Sequence, residues 1–252
     1  MRQPPGGEAQ PKFEDGWRER FREFAELHDD DAGIAGWSAT GLDARVRRFL
    51  QLWTPAAARQ RWLDAGCGAG TYSRILLGQG FEVVGVDYSL PALRKAITRD
   101  LDAAMLAVAD VRRLPFRPHA FDGVLCFGVT QALVESSATV RELASQVKPD
   151  GELWLDALNR WCVVHAYEIL RRRFQGRGMH LRYESPLRIK RLLADHDFGK
   201  VELHWMPILP ARLQRWQALI EARPVTWVLK FVPLFGLLFS HAFVVRARKQ
   251  RV

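Results

Sequence analysis

The feature that most constrains this chain is a glycine-rich segment at residues 62–71, which reads WLDAGCGAGT. A short apolar run leads into three glycines at alternate positions, Gly66, Gly68 and Gly70. The next residues have the composition of a helix that glycine ends. Glycine is needed where the backbone takes a positive φ or lies flat against a ligand. The segment therefore predicts a strand, a ligand-binding loop and a helix in succession.

The glycine spacing favours one kind of ligand. Dinucleotide enzymes use G-x-G-x-x-G to place a pyrophosphate at a helix N-terminus, whereas this loop has G-x-G-x-G, with Thr71 where the last glycine would fall. Asp64 precedes the loop, and its carboxylate would repel a diphosphate and attract a cation. S-adenosylmethionine suits that environment because it carries an ammonium and a sulfonium and no phosphate. We therefore predict S-adenosylmethionine as the cofactor.

Further segments resemble the motifs of one enzyme family. Residues 64–70 resemble the first motif of class I S-adenosylmethionine-dependent methyltransferases (type 11), in the branch with the ubiquinone and menaquinone C-methyltransferases. The later motifs follow in order at residues 83–89, 109–116, 121–124 and 147–153. The resemblance implies an α/β fold, a Rossmann-like three-layer sandwich. Its seven-stranded sheet would be mostly parallel, with the last strand antiparallel.

The same resemblance implies a cofactor site. Asp87 ends an apolar run about twenty residues after the loop, and a carboxylate at such a strand end can accept both ribose hydroxyls. A plain helix-capping aspartate is the alternative. In the family, the acid at Asp110 accepts from the adenine amino group, and the amide of Val111 meets a ring nitrogen. The expected cofactor-binding residues are Asp64, Ala65, Gly66, Gly68, Gly70, Asp87, Tyr88, Asp110, Val111 and Phe127.

The chain of 252 residues fits one domain with elaborations. Residues 1–12 are polar and are expected to be disordered, and residues 13–60 carry two amphipathic helices that the resemblance places over the cofactor. Trp37 is a candidate lid residue, with a core position as the alternative. Residues 160–184 are expected to form an acceptor-side insertion, and residues 210–240 an apolar one. Acidic residues 29–31 predict a solvated turn.

Cysteine usage and the N-terminus indicate a location. Cys67, Cys126 and Cys162 are an odd number without a C-x-x-C pair, so we expect neither a disulfide framework nor a metal site. The N-terminal residues lack the apolar core of a signal peptide. We therefore expect a cytoplasmic protein. A second expectation is that it makes peripheral contact with the inner face of the membrane.

Charge leaves the partner open. The net charge of +9 is consistent with nucleic acid, an anionic membrane, a phosphorylated substrate or simple solubility. Adenine and cytosine amino methyltransferases carry Asn/Asp-Pro-Pro-aromatic after the fourth strand, and this chain has Gly-Val-Thr-Gln there, which counts against nucleic acid. The run at residues 171–173 predicts either a phosphate or lipid-headgroup contact or a solvated helix end. Residues 225–239 are too interrupted to span a bilayer; they predict an interfacial element, or a buried helix pair or dimer contact.

No catalytic residue is assigned. A base is needed only if the acceptor loses a proton, and the candidates are His165, His180 and Tyr183 in the insertion and His204 and His241 on strands. The sequence favours methylation of a hydrophobic or lipid-linked small molecule at carbon or oxygen. The alternatives are a non-catalytic nucleoside-binding adaptor at a membrane or protein partner and, less favoured, an RNA methyltransferase.

Overall fold

The computed structural model describes residues 9–55, 60–178, 180–209 and 211–251. Within these residues one seven-stranded sheet lies between two layers of helices. The strands are β1 Arg61–Ala65, β2 Glu82–Asp87, β3 Leu106–Val108, β4 Phe121–Cys126, β5 Val147–Leu158, β6 Phe198–Met206 and β7 Ala242–Lys249. The helices are α1 Ala9–Leu27, α2 Asp31–Ile34, α3 Ala39–Leu52, α4 Thr71–Gly78, α5 Leu90–Ile97, α6 Ser137–Gln146, α7 Val163–Phe174, α8 Pro186–Ala194, α9 Gln217–Ile220, α10 Arg223–Phe231 and α11 Pro233–Phe239.

The strand order confirms the predicted fold class. The order is β3-β2-β1-β4-β5-β7-β6, and β1 to β5 are parallel to their neighbours. Strand β7 is antiparallel to both β5 and β6, so β6 runs in the same direction as β5. The carboxyl ends of β1 to β6 therefore share one edge, and the chain order reverses between β1 and β4. Open α/β sheets bind ligands at such a reversal.

Alternating side chains of the strands fill two cores. In β1, Trp62 points to the layer that contains α3 and α4, and Leu63 points to the layer that contains α6 and α8. Both side chains are fully buried. Burial on both faces explains why residues 124–126 of β4 are consecutively apolar. The sheet is consequently a rigid platform, and its carboxyl edge is left for the ligand.

Several predicted boundaries move. Residues 1–8 of the predicted disordered segment lie outside the described residues, and residues 9–12 are the first residues of α1. Pro11 is compatible with a first helical turn, where its missing N–H has no partner to lose. Helix α8 ends at Ala194, and Asp197 turns the chain with a φ of 66° into β6. His241 precedes β7 and does not lie in it.

The apolar segment between β6 and β7 forms two short helices. Proline at position 233 cannot continue a helix, and Val232 leaves the helical region with φ −115° and ψ 83° between α10 and α11. Among the described residues no helix is both long and apolar enough to cross a bilayer. Because β6 ends and β7 begins at the carboxyl edge, these helices lie at the same edge as the glycine loop.

Candidate functional site

The glycine loop connects β1 to α4 and is fastened to β2. The amides of Gly66 and Cys67 donate to the carbonyl oxygen of Val86, at 2.7 and 3.0 Å. Gly66 has a φ of 81°, and a Cβ there would lie 2.3 Å from the side chain of Val129. Gly68 has a φ of 53°, but a Cβ there would meet no heavy atom within 4 Å. The loop therefore packs tightly at Gly66 and presents open backbone at Gly68.

Asp87 ends β2 and joins two segments through its carboxylate. One oxygen accepts the Gly68 amide at 2.9 Å, and the other accepts the Ser89 amide at 2.8 Å, at the start of α5. Burial raises the pKa of Asp87, and the backbone hydrogen bonds from Ser89 and Gly68 act in the opposite direction. Each carboxylate oxygen keeps a lone pair for a further donor. Asp87 is thus both a brace for the loop and an acceptor that faces the crevice.

A cavity opens above this loop, and seven of the residues predicted to bind the cofactor line it. The predicted residues that line it are Gly66, Gly68, Asp87, Tyr88, Asp110, Val111 and Phe127. Asp64, Ala65 and Gly70 are not in its lining. The first two lie within β1, and Gly70 caps α4, where a Cβ would lie 2.1 Å from Leu101. These three residues support the cavity from below.

Asp64 is a buried acid behind the loop. Its side chain accepts a 2.7 Å hydrogen bond from the Ser73 hydroxyl. Burial raises the pKa of Asp64 to about 6; the Ser73 hydrogen bonds oppose that rise, and the negative charge of Asp87 adds to it. Asp64 therefore contributes negative charge beneath the loop without touching the cavity.

Asp110 lies at the outer rim of the cavity in a cluster of ions. It accepts from Arg18 of α1 at 2.7 Å and from Arg112 at 2.6 Å. Arg112 also pairs with Glu14, whose other oxygen accepts the Val134 amide at 3.0 Å. The hydrogen bond from Arg112 is the main reason that the pKa of Asp110 is lowered. The cluster ties α1 to the sheet edge.

Helix α1 and the residues after it cover the cavity, which the glycine motif alone does not specify. Trp17, Arg18 and Phe21 line the cavity from α1. The Phe21 ring lies 6.3 Å from that of Tyr88, edge to face, and the Tyr88 hydroxyl donates to the Trp17 carbonyl at 3.4 Å. In the sequence, the helical spacing of the apolar residues in α1 indicates that one face of this helix packs against the rest of the protein.

Two of the three acidic residues at 29–31, Asp29 and Asp30, are exposed, as in the predicted solvated turn, whereas Asp31 is partly buried. Asp30 caps α2 by accepting the Gly33 amide. Asp31 lines the cavity, pairs with Arg74 and with Arg99, and accepts from the Thr71 hydroxyl at 2.5 Å. Its partners lie 40 residues or more along the chain, so local sequence offers no signal for this role.

Trp37, the candidate lid residue, also lines the cavity. The Arg45 guanidinium lies 4.0 Å from the centre of its ring. Arg45 forms a buried ion pair with Asp156 of β5 at 2.9 Å, and the second oxygen of Asp156 accepts the Gly128 amide at 2.7 Å. This chain of contacts fixes Trp37 over the end of β4.

The candidate bases lie elsewhere. Among the described residues, His165, His180, Tyr183, His204 and His241 are all absent from the cavity lining. The two ring nitrogens of His165 lie 2.8 Å from the Asn159 carbonyl oxygen and 2.9 Å from His241. Burial lowers the pKa of His165, and it lowers that of His241 to about 3. Within the described part of the chain no cluster of three or more acidic, histidine or cysteine side chains is placed to hold a metal ion.

Sequence comparison relates this chain to methyltransferases. Residues 63–155 match a family described as a methyltransferase domain. A ubiquinone biosynthesis O-methyltransferase of Burkholderia ambifaria is 27% identical over 197 residues, which cover 74% of this chain and 79% of that enzyme. The enzyme of the same description from Neisseria meningitidis serogroup C is 28% identical over 158 residues, 59% of this chain and 60% of the relative.

Solved structures share the fold. A phosphoethanolamine N-methyltransferase 2 of Haemonchus contortus, in complex with phosphomonomethylethanolamine and S-adenosylhomocysteine, superposes with a TM-score of 0.63 at 19% identity. The superposition covers 92% of this chain and only 60% of that enzyme. A methyltransferase of Archaeoglobus fulgidus that depends on S-adenosylmethionine gives 0.58 at 18% identity over 84% of this chain and 95% of that one.

Asp64 is expected to make folding depend on pH. Its pKa of about 6 in the folded protein exceeds the ordinary value of 3.8, so its contribution to stability is fully present below about pH 4. That contribution is lost as the pH rises through 6. The free energy of unfolding of the parent, relative to Asp64→Asn, should fall by up to about 3 kcal/mol between pH 4 and pH 7. Urea unfolding at the two pH values measures it, and a difference that does not change with pH contradicts the assignment.

Proposed function

We propose that this chain, as a class I S-adenosylmethionine-dependent methyltransferase, methylates a hydrophobic or lipid-linked small molecule at carbon or oxygen on a membrane surface. The curated relatives are O-methyltransferases of ubiquinone biosynthesis, which supports a small-molecule acceptor. The observation that carries the membrane part is an exposed apolar surface at the same edge of the sheet as the cavity.

The residues of the cavity fit the cofactor. The open backbone at Gly68 lets a flat nucleoside lie against the loop. Asp87 would accept the ribose hydroxyls, and Asp110 with the Val111 amide would hold the adenine. The negative charges of Asp64 and Asp87 suit the ammonium and sulfonium groups. The bound cofactor supplies a methyl group on a positively charged sulfur.

The other side of the cavity is apolar and would receive the acceptor. Its lining there includes Phe21, Ile34, Trp37, Leu42, Phe127, Val129, Ala132 and Leu133. Such a lining holds a hydrophobic molecule and excludes water. Methyl transfer depends on alignment of the two reacting atoms more than on proton movement. Orientation alone can lower the activation free energy of such a reaction by roughly 7–11 kcal/mol. Helix α1 and Trp37 would act as the lid over both ligands.

An apolar helix surface lies at the same edge of the sheet. Its exposed members are Val163, Val164, Tyr167, Leu170 and Phe174 of α7, Trp227 and Phe231 of α10, and Leu234, Phe235 and Phe239 of α11. Helix α11 contacts both α7 and α10, so the three helices that carry this surface are packed together. Trp227 is 61% exposed and Phe239 60%, which disfavours the alternative of a buried helix pair at residues 225–239. Large exposed apolar patches mark membrane or partner surfaces.

Polar contacts anchor this surface to the sheet. The side-chain amide of Asn159, directly after β5, donates to the carbonyl oxygens of Leu237 and Ser240 at 2.7 and 2.9 Å. Asn159 is fully buried. Arginines at positions 171–173 follow the apolar face of α7, as in helices that lie on anionic bilayers. A lipid-linked acceptor would thus enter the cavity from the bilayer side.

Transfer of a labelled methyl group tests the enzymatic part. With labelled cofactor, we expect label in the lipid fraction of a membrane extract and not in RNA. Asp87→Ala should lower transfer at least about tenfold, because a hydrogen bond to a charged group contributes about 1.5–3 kcal/mol. Asp43→Ala, on the exposed face of α3, is the matched control and should change transfer less than about twofold.

Two outcomes would contradict this function. Label that enters only RNA would establish the RNA methyltransferase. Cofactor binding without transfer to either fraction would favour the non-catalytic adaptor.

Binding to vesicles tests the membrane part. Trp227→Gln combined with Phe239→Gln should weaken binding to phosphatidylglycerol-containing vesicles at least about tenfold, because each large apolar side chain contributes about 1.5–3 kcal/mol when buried. The control pair is Leu27→Gln with Leu187→Gln, which are 77% and 65% exposed outside the apolar helix surface. Co-sedimentation measures both. Equal binding of the two double variants would overturn the membrane assignment.

A further inference from the structure

A second cavity, of about 490 Å³, lies between the C-terminal end of α7, the chain at residues 180–185 and the start of α8. Its lining is dominated by guanidinium groups from Arg160, Arg172, Arg173, Arg177, Arg182 and Arg188. Glu184 is the one carboxylate among the described residues that line the groove. It is buried, and it accepts from Arg182 at 2.8 Å and from the Ser136 hydroxyl at 2.6 Å. This arginine groove therefore carries a large excess of positive charge.

Three of the arginines are held in place by the protein. Arg172 donates through two nitrogens to the Gly178 carbonyl oxygen, at 2.8 and 3.1 Å. Arg182 donates to Glu184 and to the Val134 carbonyl oxygen. Arg188 pairs with Glu135 at 2.5 Å. Guanidinium groups that are already oriented lose less conformational freedom when an anion binds.

The other three have no protein acceptor among the described residues. No described carboxylate or carbonyl oxygen contacts the side chain of Arg160, Arg173 or Arg177. They come from different segments, before α7, in its last turn and after its end, and they converge on one groove. The dipole of α7 favours arginines in the last turn of that helix. It does not explain the presence of Arg160, Arg182 or Arg188, which lie outside α7. The convergence indicates an anion.

We propose that the arginine groove is a phosphate-binding site for the acceptor, a refinement that rests on the function proposed above. A phosphate ester offers more charge and more acceptor oxygens than a single carboxylate, and arginine pairs with it through two parallel hydrogen bonds. Positive charge nearby also contributes to the lowered pKa of His180 in the groove wall, for which burial is the main cause. The phosphate belongs either to a soluble phosphate ester or to a phospholipid headgroup.

The position of the groove connects it to the methyl-transfer cavity. The amide of Arg182 donates to the Gln131 carbonyl oxygen at 2.8 Å, and the next two residues, Ala132 and Leu133, line the cofactor cavity. On the other side, the Trp17 indole donates to the His180 carbonyl oxygen at 3.1 Å. One short stretch of backbone therefore separates the two cavities. An acceptor with its phosphate in the groove can extend its reactive part over that wall.

Calorimetric titration of the full chain tests the site. The probes are inorganic phosphate and monomeric dihexanoyl phosphatidate. Tighter binding of phosphatidate would indicate a lipid headgroup, and tighter binding of inorganic phosphate would indicate a soluble phosphate. The groove variant combines Arg160→Gln, Arg173→Gln and Arg177→Gln. The control combines Arg94→Gln, Arg141→Gln and Arg191→Gln, which removes the same charge from exposed positions outside the groove.

We expect the groove variant to weaken binding of the tighter probe at least tenfold and the control less than twofold. Equal weakening by both variants would mean that the probe responds to overall positive charge and not to the groove, and it would overturn the proposal. A parent chain that binds neither probe would overturn it as well. Tighter binding of a single-stranded oligonucleotide than of either probe would assign the groove to nucleic acid. S-adenosylmethionine affinity, titrated in the same samples, should be equal in parent and groove variant. A parent chain that does not bind S-adenosylmethionine would refute the proposed function. The phosphate titration would still test the groove independently.

Discussion

The carboxylate of Asp87 is the interaction on which this site depends. It accepts one amide from the glycine loop and another from the start of α5, so it joins two crossover connections at the point where β2 ends. Charge-assisted hydrogen bonds of this kind are stronger than neutral ones, and this carboxylate is buried. The crevice is thereby shaped before any ligand enters. A preformed acceptor is what a ribose with two adjacent hydroxyls requires.

Around this brace, polar contacts between distant parts of the chain hold the cover of the cavity. Asp31 joins the segment after α1 to α4 through Thr71 and Arg74. Arg45 joins α3 to β5 through Asp156, with both side chains buried. Removing one partner of such a pair leaves an uncompensated buried charge, so these contacts fix the arrangement of the N-terminal helices. The cover of the cavity is thus built into the fold.

The sequence was most informative where the constraint is local. The alternate glycines and the acid at the end of β2 were found because both depend on short spacings along the chain. The apolar periodicity of α1 and α3 predicted helices for the same reason. The roles of Asp31 and Arg45 were missed because their partners lie 40 and 111 residues away. Asp64 and Ala65 belong to the predicted motif yet lie under the cavity, since the motif marks the supporting strand as well as the contact surface.

The most direct measurement is a crystal structure of the chain with S-adenosylhomocysteine. Both ribose hydroxyls should lie within hydrogen-bond distance, about 2.5–3.0 Å, of the Asp87 carboxylate, with the adenine between Asp110 and the Val111 amide. The Gly68 and Ser89 amides should keep their bonds to the same carboxylate. A nucleoside bound elsewhere on the sheet edge, or a cavity that stays closed by α1 in the presence of saturating ligand, would contradict this assignment of the site.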